Sequence, residues 1–462
     1  MSQTDFSSLK LHPALLKNLS TLGYLAMTPI QAQSLPHILD GKDVIAQGKT
    51  GSGKTAAFGL GLLEKLDVKR FRVQSLVLCP TRELADQVAK EVRKLARSIH
   101  NIKVLTLCGG MPFGPQIGSL EHGAHIIVGT PGRVEEHLRK GTLRLDSLNM
   151  LVLDEADRML DMGFQPALDA IIKYTPQQRQ TLLFSATYPS QIESIAQRIM
   201  IHPVVVQVAA THDSTSIQQY FYRVDANTQR MTILQLLLLK YRPESALVFC
   251  NTKRETQEVA DELHDLGFSA LALHGDLEQK ARDQTLVRFA NKSASILVAT
   301  DVASRGLDID ALDAVINYHL SRELEVHVHR IGRTGRAGSK GIACTLYNDK
   351  ERYKVEALEE YLDQRIVASP LPPFSLLEQP TYKPPMVTLQ IDGGKKQKVR
   401  PGDILGALTG KNGIAGKQVG KIHIFDNWAY VAVSGDAAQT ALIKLGEGKL
   451  KGRSFRVRRI RG

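Results

Sequence analysis

Two short stretches hold residues whose types and spacing could do chemistry. The first is GKTGSGKT, Gly48 to Thr55, which follows the apolar run DVIA and precedes the helical composition of AAFGLGLLEKL. Glycines let a backbone wrap closely around phosphates, and the start of a helix adds its own positive field. In that strand–loop–helix setting Gly48, Thr50, Gly51, Ser52 and Gly53 would cradle a nucleoside triphosphate. Lys54 would reach its β- and γ-phosphates, and the Thr55 hydroxyl would ligate Mg²⁺. The second stretch is LNMLVLDEADRML, Leu148 to Leu160, a greasy run that ends in Asp154, Glu155 and Asp157. Carboxylates at the tip of a buried strand are costly unless something positive faces them. A phosphate loop elsewhere in the chain supplies the reason. Asp154 would approach Mg²⁺ beside Thr55, Glu155 would deprotonate the attacking water, and Asp157 would accept hydrogen bonds from neighbouring segments.

Elements of a definite kind must position these residues. Apolar runs such as QSLVLCP, IKVLTLCGG, AHIIVGTP, NMLVLDEAD and QTLLFSAT alternate with helical stretches. Runs without period-2 alternation suit a parallel sheet covered on both faces. Each ends in Gly, Pro, Ser, Thr or Asp, where the loops of an α/β sheet hold ligands. The rhythm restarts after residue 217 with SALVFCNT, SALALHG, ASILVATD and DAVINYHL. The expectation is an N-terminal α/β domain over 1–208 and a second over 218–365. A Pro-rich linker then covers 366–385, because such a segment sustains neither helix nor central strand. Beyond it, residues 386–462 follow a β-α-β-β-α-β order that fits a small ferredoxin-like α+β domain.

Bulk composition excludes other classes. At 462 residues the chain is too long for one core, and no apolar run nears the roughly 20 residues of a membrane span. Four scattered cysteines without a CxxC pair read as reduced core residues of a cytoplasmic protein, not as a zinc site. Net charge is +12, and residues 386–462 hold 15 Lys and Arg against 5 Asp and Glu. The first 385 residues are therefore nearly neutral. Charge so concentrated points to a polyanion-binding module on a larger body.

With DEAD in place beside the phosphate loop, the chain resembles the DEAD-box RNA helicases over about residues 6–340. GYLAMTPIQ (Gly23–Gln31), with Phe6 upstream, is similar to the family's adenine-recognition segment, with Met27 where most members have Pro. The resemblance implies that Gln31 hydrogen-bonds the adenine edge with Tyr24 or Phe6 packed nearby. PTREL (Pro80, Thr81, Arg82), the Gly109–Gly110 pair and TPGR (Thr130, Arg133) look like RNA-backbone motifs of the first domain. Their hydroxyls, guanidinium groups and free amides suit phosphate contacts that do not read bases. SAT, Ser185 to Thr187, is similar to the segment that couples the ATP site to RNA. In the second domain QKAR and ATDVASRGLDI imply RNA contacts from Arg282 and Thr300, and a nucleotide contact from Asp308. HRIGRTGR looks like the arginine-finger motif, so Arg333 and Arg336 are expected to act on the γ-phosphate. HLSRELEVHVHRIGR lacks the Asp-x-Pro of most members just upstream.

The resemblance thus implies an RNA-dependent ATPase built from two RecA-like doubly wound domains. It would use ATP and Mg²⁺ and separate short RNA duplexes locally. The small domain has the order of an RNA-recognition fold but not its aromatic code, carrying DNWAYVAV, in which Trp428 or Tyr430 is a candidate to stack on a base. Basic residues such as Arg453, Arg456 and Arg458 are the better RNA contacts. With PGDILGALTG in the tail, the arrangement resembles the DbpA subfamily. That resemblance implies a monomer tethered to a hairpin of 23S ribosomal RNA during assembly of the large (50S) subunit. A DNA translocase on the same engine is disfavoured by the adenine segment and by DEAD. A degenerate, non-catalytic scaffold is disfavoured by intact Lys54, Glu155, Arg333 and Arg336.

Overall fold

A computed structural model describes residues 4–48, 51–188, 190–208, 217–225, 229–304, 312–321, 323–335 and 341–460. In the first domain the strands are β1 (Val44–Gln47), β2 (Ser75–Leu78), β3 (Val104–Leu107), β4 (Ile126–Gly129), β5 (Met150–Asp154), β6 (Gln180–Ser185) and β7 (Val204–Gln207). They form one parallel sheet in the order β3-β4-β2-β5-β6-β1-β7. Alternate side chains divide between two cores. Val44, Val77, Val128, Val152 and Phe184 face one layer of helices. Ile45, Leu76, Leu78, Leu151, Leu153 and Leu183 face the other. Burial on both faces is why the strands read as unbroken apolar runs.

The second domain repeats the plan with β8 (Ile217–Arg223), β9 (Ala246–Phe249), β10 (Ala270–Leu273), β11 (Ile296–Ala299), β12 (Ala314–Asn317) and β13 (Gly341–Tyr347). Its parallel sheet runs β10-β11-β9-β12-β13-β8. The Pro-rich segment that follows is strapped to this domain. Ser369 N donates to the Phe221 carbonyl at 2.7 Å, and the Thr381 hydroxyl donates to the Gly267 carbonyl at 3.0 Å. Leu376, Leu377 and Tyr382 pack on the domain's core, with the Tyr382 ring edge-on to Phe268. Proline fixes the backbone in an extended form, which makes such a strap stiff at little entropic cost.

The third domain is the antiparallel sheet β15-β16-β14-β17, from β14 (Met386–Ile391), β15 (Val419–Ile424), β16 (Ala429–Ser434) and β17 (Val457–Arg459). Helices Pro401–Thr409 and Ala438–Glu447 complete the anticipated β-α-β-β-α-β order. Leu389, Ile391, Val431 and Val433 join Ile404, Leu408, Ala441 and Leu445 in its core. All four cysteines are buried and unpaired, as expected. Among the described residues no helix is long and apolar enough to cross a membrane.

Candidate nucleotide and RNA sites

In a parallel sheet every strand ends at the same edge, so sheet order decides which motifs meet. In the first domain β5, β6 and β1 are neighbours, which brings the DEAD carboxylates, SAT and the phosphate loop together. Strands β3, β4 and β2 lie side by side in the other half and end in Gly109–Gly110, Thr130 and Pro80–Thr81. One edge therefore divides into a half that carries the phosphate loop and a half that carries the segments expected to meet RNA, with β5 at the junction.

The phosphate loop is shaped by glycines in the left-handed region, Gly51 at φ 83° and Gly53 at φ 93°. At Gly53 a Cβ would meet the Gln31 amide nitrogen at 2.5 Å, so a side chain there is excluded twice over. Gln31 Nε2 donates to the Gly53 carbonyl at 3.0 Å, and its Oε1 accepts from Thr28 N at 2.9 Å. The residue expected on adenine thus also braces the loop under the phosphates. Phe6 is buried in the domain core, and Tyr24 packs edge-on to it while donating to the Glu91 carboxylate. Met27 is buried in the same cluster, a role a large apolar side chain fills as well as proline. Lys54 is buried at the start of helix Lys54–Glu64 and donates to the Gly48 carbonyl at 2.8 Å. Thr55 follows, half-buried. Thr50 lies outside the described residues.

The acidic cluster splits into three jobs. Asp154 is 3% exposed, and burial pushes its carboxyl up to about 7 despite the pull of Lys54. A displacement of that size is about 4 kcal/mol against the charged form. A divalent cation is the partner that would reverse it, and a carboxylate and hydroxyl beside Lys54 are donors of the kind Mg²⁺ takes. Asp154 and Thr55 therefore fit the metal. Glu155 sits in the left-handed region at φ 53° and is held at 3.0 Å by Arg158 Nη1. Asp157 Oδ2 accepts from Thr187 N and Oγ1, at 3.1 and 3.0 Å. Burial alone would raise the Asp157 carboxyl, but Arg158, Lys54 and the Thr187 hydroxyl hold it below the usual range. The DEAD segment and SAT are thus joined by direct hydrogen bonds. Arg158 was missed in the sequence, although a lone cation three residues after Glu155 is a one-turn pair.

In the half expected to meet RNA, Thr81 caps helix Arg82–Leu95 through Leu84 N, and Arg82 lies 3.8 Å from Asp86. Gly110 is exposed at φ 73°. Thr130 starts helix Pro131–Arg139. Arg133 donates to the Met111 carbonyl and to Gln116 Oε1, both at 2.9 Å, and pairs with Glu136 at 3.2 Å. The structure makes it a brace for the Gly109–Gly110 loop. Pro80 occupies the buried turn after β2.

In the second domain Arg282 Nη2 donates to the Ala303 carbonyl at 2.9 Å, behind the Thr300 hydroxyl that accepts from Ala303 N. Arg333 is buried on the turn after helix Leu324–Ile331, whereas Asp308 and Arg336 lie outside the described residues. Sequence reading passed over Arg330, which is 2% exposed. It grips Asp301 with two bonds of 2.6 and 2.7 Å and donates to the His319 carbonyl and Asn317 Oδ1. It thereby ties together the ends of β11 and β12. His319 stands near the missing Asp-x-Pro and bonds Glu255 at 2.6 Å, with Glu351 at 3.8 Å.

In the third domain Tyr430 is fully buried, which removes it as an exposed stacking platform. The Trp428 ring lies beside Phe425 with Lys280 Nζ 5.2 Å above it. Arg453, Arg456 and Arg458 are exposed, and Arg458 is 3.9 Å from Asp392. The sequence missed their neighbours. Asp392 N donates to the Arg456 carbonyl at 3.0 Å, and Lys451 Nζ donates to the Lys398 carbonyl at 3.0 Å. Exposed Lys395, Lys396 and Lys398 thus join the arginines in one basic surface built from two loops.

A phosphate loop and a DEAD carboxylate cluster on one parallel sheet, followed by a second such sheet, define a nucleotide-driven two-domain motor. Comparison with known proteins gives the family. Residues 28–195 match the DEAD/DEAH box helicase domain, 229–338 the helicase conserved C-terminal domain, and 388–459 the DbpA RNA binding domain. The chain is 54% identical to the ATP-dependent RNA helicase DbpA of Escherichia coli, over 99% of this chain and 100% of that one. It is 36% identical to DbpA of Bacillus subtilis, over 98% and 99% of the two chains. The structure of S. cerevisiae Dbp5 bound to RNA and ADP BeF3 superposes with a TM-score of 0.72 at 30% identity, over 79% of this chain and 96% of that one. The chain belongs to the DEAD-box ATP-dependent RNA helicases, of the DbpA type, and is an RNA-dependent ATPase.

Proposed function

We propose that this helicase is directed by its third domain to a hairpin of 23S ribosomal RNA and acts, as a cytoplasmic monomer, on 50S assembly intermediates. The observation that carries the reading is the two-loop basic surface of Lys395, Lys396, Lys398, Arg453 and Arg456. Two loops side by side can follow a bent backbone, and a folded RNA loop exposes base edges that an A-form duplex hides in its deep groove. In the proposed cycle ATP sits on Lys54 with its adenine near Gln31, and RNA lies along the edge built by Pro80–Arg82, Gly110 and Thr130, completed by Arg282 and Thr300. Bound Mg²⁺, held by Thr55 and Asp154, would neutralise charge on the β- and γ-phosphates. Glu155 takes the proton of the attacking water. Arg333 and Arg336 of the second domain complete the site as the domains close, and loss of the γ-phosphate reopens it. The bond from Asp157 to Thr187 carries that change toward the RNA half of the edge.

Removing residues 386–462 tests the targeting. The truncated chain should keep a low ATPase activity that is the same with 23S ribosomal RNA and with poly(A), while the full chain prefers the ribosomal RNA. Binding by the full chain should weaken steeply with salt, because each phosphate contact releases counterions. A truncated chain that still prefers 23S ribosomal RNA would end the targeting role.

A further inference from the structure

The third domain's sheet carries its own helices on one face only. Since Leu389, Ile391, Val431 and Val433 point into that core, Thr388, Gln390, Tyr430 and Ala432 must point the other way. Such a face would ordinarily be wet, yet these four residues are 2% exposed or less. The cover is helix Gln279–Ala290 of the second domain and the turn after it. Asn291 Nδ2 donates to the Thr388 hydroxyl at 3.1 Å, and the Ser293 hydroxyl lies 2.6 Å from the same oxygen. His423 Nε2 is 3.1 Å from Asn291 Oδ1, and Met386 N donates to the Lys292 carbonyl at 3.3 Å. At the other end of the helix Lys280 stands over Trp428, and Asp283 adds to the burial that pushes the Tyr430 phenol up to about 12. The contact therefore runs the length of one helix.

That helix also carries Arg282, which reaches the Ala303 carbonyl on the turn formed by Thr300 to Ser304. One helix serves two neighbours on different faces. We infer that the sheet face of the third domain is a positioning surface for this helix: with Asn291, Ser293 and Thr388 as its grip, it holds Arg282 in place for RNA-stimulated ATP hydrolysis. The third domain then raises turnover through the second domain's RNA motif, in addition to raising the local RNA concentration. This deepens the targeting reading and rests on it only for the choice of RNA. The strap from Ser369 to Tyr382 limits how far the third domain can drift, so the grip re-forms readily after a transient opening.

Two substitutions in the full chain test it. Ala432→Arg places a long cation on the covered face, outside the third domain's own core. Thr388→Val keeps the shape and deletes both hydroxyl bonds. Hydrogen exchange of amides 279–293 should rise about tenfold or more in Ala432→Arg, and less in Thr388→Val. With 23S ribosomal RNA, kcat should fall about tenfold in Ala432→Arg while the RNA concentration for half-stimulation stays within about twofold. Unchanged exchange in both variants overturns the grip. Raised exchange with unchanged kcat, or a loss in RNA affinity that accounts for the whole effect, overturns the positioning role. The parent's preference for 23S ribosomal RNA over poly(A) is measured first. If it is absent, the targeting reading fails by itself, and the same fall in kcat is then required with poly(A).

Discussion

The two helicase domains share a sheet plan but treat the charges at their functional edges in opposite ways. In the first, Asp154 is buried with too little positive charge around it and is pushed up to about 7. In the second, carboxylates at the strand ends are already satisfied. Asp301 is held by both bonds from Arg330, and Glu351 is brought down to about 2 against its burial by His319 and Arg230. An edge left short of positive charge accepts a cationic ligand and does chemistry. The Arg330–Asp301 and Arg230–Glu351 pairs, already compensated internally, are a frame for the residues around them. The difference teaches which residues should lose activity when changed and which should lose the fold.

The sharpest way to break the contrast is to disable chemistry without touching the frame. Glu155→Gln keeps shape and can still accept from Arg158, but the amide cannot take the proton of water. Turnover should fall by roughly 10³-fold or more, and the melting temperature should hold within about 2 °C. A steady-state ATPase assay beside a thermal melt decides. Turnover within about threefold of the parent, a barrier change under ~1 kcal/mol, would show that Glu155 is not the base.

The converse change belongs in the second domain. Arg330→Ala removes one buried cation from beside Asp301, Asn317 and the His319 carbonyl, leaving a half-buried carboxylate uncompensated. Breaking a fully buried pair costs about 3–5 kcal/mol, and the partial exposure of Asp301 places this one at or below the lower end. Urea denaturation should show the second domain's transition moving to lower concentration while the first domain's stays. An unmoved transition would refute the frame assignment.

A smaller effect is expected where the two halves of the first domain's edge communicate. Thr187→Ala removes the hydroxyl bond to Asp157 but leaves the amide bond at 3.1 Å. One such bond to a charged acceptor is worth about 1.5–3 kcal/mol. ATP hydrolysis should stay within about threefold while duplex separation drops by about tenfold. Equal loss in both assays would place Thr187 in the hydrolytic step instead of in the coupling.

Much of the first domain's site was legible in the sequence because its chemistry is local. Gly51, Gly53, Lys54 and Thr55 lie within one loop, and Asp154, Glu155 and Asp157 within one strand end. Parallel order then follows from unbroken Val, Ile and Leu runs. What stayed hidden depends on distant partners. Arg330 meets Asp301 and Asn317, and Arg230 meets Glu351 across most of the second domain. No local spacing announces such pairs. Tyr430 was read as a possible stacking residue because it stands in DNWAYVAV, where an RNA-recognition fold carries its aromatic code. Nothing in β16 itself reveals that helix Gln279–Ala290 closes it.

The smallest expected effect concerns pH and the frame. His319 lies between Glu255 and Glu351, with Arg230 nearby and its carbonyl taken by Arg330. Burial lowers the imidazole's proton affinity, but the bond to Glu255 and the nearby Glu351 carboxylate outweigh it and leave the group raised above its ordinary value. The charged imidazole therefore contributes stability that is fully present below about pH 6.5 and is lost as pH rises through the folded value. Glu351 acts on the other side. Brought down to about 2, its contribution is present above its unfolded value near 4.5 and is lost only as pH falls toward 2. The second domain should thus be most stable between these limits, and its urea midpoint should decline as pH rises from 6 to 8.5. His319→Gln keeps a donor for Glu255 but does not titrate, so the decline should vanish in that variant. The first domain's transition, which does not involve His319, should show the same pH dependence in both proteins. If parent and variant decline alike in the second domain, the imidazole is neutral throughout the range, and the carboxylates are held by Arg230 without it.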